Sequence, residues 1–158
     1  MDQKQEVRDS LAAKQGSATG SDAKEIGEAI KHIDHSLESD LWVDDSHLDS
    51  KDGDKVFEEE KKAVDHLLKV KNTSVSEEIA DLVQIDRDLA ETAINEIPAT
   101  ANDPKKQDEV DDKRAKANQE LAKGDSDRTA GKPKDAIDHY EKAWEQAQKA
   151  TAEANKAP

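Results

Sequence analysis

Ser74–Pro98 reads SVSEEIADLVQIDRDLAETAINEIP. Val75, Ile79, Leu82, Val83, Leu89, Ala90, Ala93 and Ile97 recur at helical steps and share one face. Ser74 and Glu77 have the spacing of a capping box, and Pro98 stops the helix. Asp86 falls in the middle of the apolar face, where the wheel expects a leucine. A carboxylate there is costly unless it is paired. Asp86 is therefore expected as a buried structural acid with Trp42, His47 or His32 as its partner. A metal ligand or a base tuned by burial is the functional alternative.

The same periodicity extends in both directions. Upstream, Asp22 and Glu25 suggest a second capping box before Ile26, Ile30, Ile33, Leu37 and Leu41, in a helix that ends near Ser39. After Gly53-Asp54 comes a stripe of Val56, Ala63, Val64, Leu67 and Leu68, with Phe57 at its edge. Glu58, Glu59 and Glu60 sit in its first turn, where the helix dipole favours negative charge. Downstream, Asp103-Pro104 gives a cap and a first-turn proline for a sparse stripe of Val110, Ala117 and Leu121. Gly131-Lys132-Pro133 opens a last helix carrying Ala136, Ile137, Tyr140, Ala143, Trp144, Ala147 and Thr151. Residues 1–21 offer Val7 and Leu11 in a short frayed helix over 3–14, then the Gly/Ser run Gly16–Ser21. No segment has the period of a strand. The expected fold is all-α: an antiparallel bundle of about five helices over residues 22–155, with 1–21 as a flexible N-terminal segment.

Composition narrows the function classes. The chain has 158 residues, 33% hydrophobic and 39% charged, with a formal net charge of −14 and no cysteine. Disulfides and thiolate zinc sites are excluded. Nucleic acid is an unfavourable partner, because neutralising phosphates needs clustered lysine or arginine. No run is long and apolar enough to insert in a membrane. The acidity suits a basic protein partner or a divalent cation.

Asp40–Glu60, DLWVDDSHLDSKDGDKVFEEE, holds the densest aspartate cluster, and its Asp40–Asp54 part is expected as a structured loop folding Trp42 back over the bundle. Asp44, Asp45, Asp49, Asp52 and Asp54 are candidate calcium ligands, although their spacing departs from the helix–loop–helix calcium pattern. His32 and His35 lie three apart on one helix, within reach of a shared metal. Tyr140 and Trp144 suggest a binding face in a groove between helices, while Trp42 and Trp144, the largest apolar side chains of an aromatic-poor chain, are expected to anchor its core. No phosphate loop, HExxH helix, dinucleotide fingerprint or Ser-His-Asp order is present.

Two resemblances accompany these readings. Gly131–Ala147, GKPKDAIDHYEKAWEQA, resembles the second helix of a tetratricopeptide repeat through Ala136, Tyr140 and Ala143. The preceding helix lacks that family's Trp-Leu-Gly pattern, and no repeat period appears elsewhere. Ala29–Phe57, followed by EEKKAVDHLL, IDRDLAETAI and KDAIDHYEKAW, resembles an uncharacterised helical domain of secreted or surface-attached bacterial and archaeal proteins. That resemblance spans most of 23–150 and implies export, with the cytoplasm as the alternative; it implies no chemistry. The expected function is a non-catalytic interaction or spacer module with a protein partner and no cofactor. Calcium binding by the aspartate loop is the alternative.

Overall fold

The computed structural model describes residues 1–158 and is all-α. Six helices follow one another: α1 (Asp2–Ser17), α2 (Gly20–Ser36), α3 (Asp54–Leu67), α4 (Ser76–Asn95), α5 (Gln107–Thr129) and α6 (Pro133–Ala154). Single 3-10 turns occupy Ser39–Leu41 and Pro104–Lys106. The one strand-like pairing is an isolated bridge between Trp42 and Leu48.

The aliphatic stripes become the core. Ile26, Ile33, Val56, Val64, Leu82, Val110 and Ile137 are all fully or almost fully buried in one continuous cluster. α5 and α6 form the most extensive helix pair, α2 packs on α3, and α4 lies against α6. The α5–α6 turn closes with Gly131 in the left-handed region, φ +75°, which suits a residue lacking Cβ. Before α5, Asp103 caps the 3-10 turn Pro104–Lys106 rather than the α-helix expected to follow it: its side chain accepts from the Lys105 backbone N–H, with Pro104 next in the chain, and no side chain caps α5 itself.

The N-terminal segment differs from its expectation. Asp2–Ser17 is a helix packed on α2 and α4, with Lys4, Val7 and Leu11 buried. Two apolar side chains were too few to mark it as a core element. The further anchor is Lys4, a residue type whose usual place is the surface.

Both expected capping boxes are absent. α2 starts one turn early at Gly20, so Asp22 lies inside the helix. Its carboxylate instead accepts from the backbone N–H groups of Lys71 (3.0 Å) and Asn72 (2.8 Å), tying α2 to the loop after α3. Those bonds hold the Asp22 carboxyl below the usual carboxylate range. Val75, not Ser74, precedes α4, and no side chain caps it. Leu68, assigned to the α3 stripe, lies past the end of the helix and is half exposed.

Candidate functional site

Trp42 tucks inward as expected: it is buried, and its indole Nε1 donates to the Ser36 carbonyl at 2.7 Å. Beneath it lies a polar cluster that sequence reading missed. Lys4 Nζ pairs with Glu60 Oε1 at 2.5 Å, donates to Ser36 Oγ at 3.0 Å and sits 5.4 Å from the Trp42 ring centroid. Both charged side chains are wholly buried. Burial pushes the Lys4 amine down and the Glu60 carboxyl up, toward their neutral forms, while each partner acts against that drift. The pair fastens α1 across α2 and α3.

Asp86 is fully buried, as its place on the wheel suggests, but its expected partners are elsewhere. Neither carboxylate oxygen meets a hydrogen-bond donor. Trp42 is committed to Ser36. His47 lies at the surface between Asp44 Oδ1 and Glu96 Oε1, each at 2.7 Å. Those two bonds, Glu96 first, raise the His47 pKa above its ordinary value. His32 turns to Glu59.

Tyr140 and Trp144 are core residues rather than a binding face, at 0% and 4% exposure. The Tyr140 hydroxyl donates to Asp125 Oδ1 at 2.6 Å, and Arg87 Nε donates to the same oxygen at 2.8 Å. Burial, then the Asp125 bond, pushes the Tyr140 phenol upward. Trp144 packs on Phe57 with centroids 5.9 Å apart. The aromatics are drawn inward because a chain this poor in large apolar groups has few others with which to fill its centre.

The aspartates of the Trp42 loop do not converge. Asp44 accepts from the Ser46 backbone and His47; Asp49 accepts from the Lys51 and Asp52 N–H groups. Asp52 pairs with Lys55 at 3.0 Å, and Asp54 opens α3. Asp45 contributes its backbone carbonyl, which accepts from the N-terminal amine at 2.8 Å. The carboxylates serve turn and helix geometry, and none of the five belongs to a group of three potential metal donors.

Two surface features remain. The first is a groove between α1 and α4, lined by Glu6, Glu77, Glu78, Asp81 and Asp88 with Lys14 as the single cation. Val7 and Ile85 provide its apolar wall. Glu78 Oε1 is held by Lys14 and by the Ser10 hydroxyl (3.1 Å), while Oε2 is buried without a donor. The second is a histidine–carboxylate cluster where α2 meets α3. His32 Nδ1 meets Glu59 Oε2 at 2.7 Å, and His66 Nδ1 meets Glu25 Oε2 at 2.7 Å. The two rings stack, with centroids 5.5 Å apart and planes inclined by 14°. His35 approaches Glu59 more distantly, at 3.6 Å. Sequence reading grouped His32 with His35, and donor atoms of His32, His35 and Glu59 do lie within 4.8 Å of one another; the closer ring contact, to His66, depends on how the helices pair.

No helix is long and apolar enough to cross a membrane. Comparison with family models, curated proteins and solved structures yields no match for this chain.

Proposed function

We propose that this chain is a non-catalytic helical contact module, exported or displayed at a cell surface, whose α1–α4 groove receives a basic segment of a protein partner. The observation that carries the reading is the convergence of four exposed carboxylates, Glu6, Glu77, Asp81 and Asp88, on a groove whose one cation, Lys14, is paired with the buried Glu78. Carboxylates gathered in a concave surface reinforce one another's potential and steer cations toward it. Val7 and Ile85, almost wholly buried, form the floor of the groove beneath these carboxylates. Two side chains suited to chemistry support a passive role, because Asp86 and Tyr140 are wholly buried.

Titration of the full chain with a fluorescent oligolysine peptide at low salt tests this. Glu77→Lys/Asp81→Lys reverses two exposed carboxylates of the groove. Asp108→Lys/Asp112→Lys makes the same change in net charge on α5. Affinity is expected to fall on the order of tenfold in the groove variant and much less in the α5 variant, with both effects shrinking as salt screens the charges. Equal losses in the two variants would reduce the effect to overall charge and remove the groove from the account.

A further inference from the structure

The histidine–carboxylate cluster has an organisation that the contact reading does not use. Glu28 and His32 stand one turn apart on α2, and His66 faces them from α3. One donor atom from each of Glu28, His32 and His66 lies within 4.8 Å of the other two. A tetrahedral ion with bonds of about 2.0–2.1 Å holds neighbouring donors about 3.4 Å apart. The two stacked rings tilt toward the ion so that their in-plane lone pairs converge, and side-chain rotation on fixed helices supplies that movement.

The outer groups are also in place. Glu59 and Glu25 each occupy Nδ1 of one ring, so each imidazole that donates there leaves its Nε2 lone pair free. A carboxylate on the far nitrogen is the usual way of fixing the tautomer and raising the basicity of a metal-bound histidine. His32, Glu59, His66 and Glu25 are about one-fifth to one-quarter exposed, so the cluster is accessible to an ion yet held by its neighbours. Three carboxylates meet here, while Lys62 pairs with Glu59 at 3.5 Å, leaving an excess of negative charge that a dication offsets.

We propose that His32, His66 and Glu28 form a three-donor site for a divalent transition-metal ion of the zinc or cobalt kind, joining α2 to α3. Glu59 and Glu25 act as positioning residues for the two imidazoles. Two imidazoles and one carboxylate select such ions over calcium and magnesium, which prefer oxygen donors. The remaining coordination position falls to water. The site stands independently of the α1–α4 groove, and its test leaves that reading untouched.

The test is calorimetric titration of the metal-stripped full chain with Zn2+ at neutral pH, with Ca2+ as the contrast. Co2+ absorption serves as a second readout on the same chain. The expected result is one Zn2+ per chain, a visible Co2+ band of tetrahedral intensity, and no heat with Ca2+. Glu28→Gln keeps the helix and both histidine–carboxylate bonds; it is expected to weaken Zn2+ by at least about tenfold, as is His66→Ala. His47→Ala, which removes a histidine outside the cluster, should change nothing. Absent Zn2+ binding would overturn the site, as would affinity that is the same in Glu28→Gln, His66→Ala and the unaltered chain.

Discussion

Glu141 shows how a thin core treats a charge. It is 8% exposed on α6, and its Oε1 meets no donor. Burial, reinforced by Glu58, Glu145 and Asp138 against the opposing pull of Lys61, raises its pKa to about 7. An unfolded glutamate titrates near about 4.3. The folded chain therefore holds this proton more tightly; the stability it brings is complete below the unfolded value and is lost as pH rises through about 7. Glu141→Gln keeps the site neutral at every pH. The unaltered chain should lose more Tm than the variant between about pH 5 and about pH 8; parallel curves would show that Glu141 does not titrate in this way. Sequence alone distinguished such residues unevenly. Asp86 was legible because it interrupts an apolar stripe, and it is buried. Lys4 was not legible: a lysine in a polar helix reads as solvent-facing, and only the meeting of α1 with Glu60 and Trp42 makes it a core residue. Trp144 was legible as a core anchor in a chain with few large apolar groups, whereas the full enclosure of Tyr140 was not, since a helical wheel does not show how closely a neighbour approaches.

At the scale of elements, the stripes of α2, α3, α4 and α6 were readable because aliphatic side chains at helical spacing have one economical use. α5 was harder to read. Of its residues only Val110, Ala117 and Gly124 are buried, seven apart each time, and they form a seam of small side chains along α6. The seam lets the two backbones approach, and the Tyr140 ring fills the space over Gly124 so closely that a Cβ there would collide with it. Alanine is the better helix former by about 1 kcal/mol. Overpacking a filled site costs about 1–3 kcal/mol and displaces the Tyr140–Asp125 hydrogen bond as well. Gly124→Ala is therefore expected to lower stability in urea, whereas an unchanged or raised midpoint would mean that the α5–α6 seam is looser than described. Capping was misread for a related reason. Asp22 and Ser74 have cap-like spacing, yet where a helix starts depends on what lies across from it: Asp22 finds two backbone donors in a loop 49 and 50 residues away.

For the whole molecule, the decisive relation is the docking of α1. Without it Glu60 would face water, Trp42 would lose its cover and the acidic groove would have one wall. Removing one partner of a buried ion pair costs about 3–5 kcal/mol, so the Lys4–Glu60 contact also makes α1 depend on its neighbours. The same long-range logic brings His32 to His66, a pairing that no spacing within one helix could announce. Hydrogen exchange of the full chain tests the docking most directly. The account predicts that amides of Val7–Leu11 exchange as slowly as those at the centre of α2, against which they pack, within the same cooperative unit. Exchange of α1 at the rate of an unprotected tail, while α2 to α6 stay protected, would contradict it.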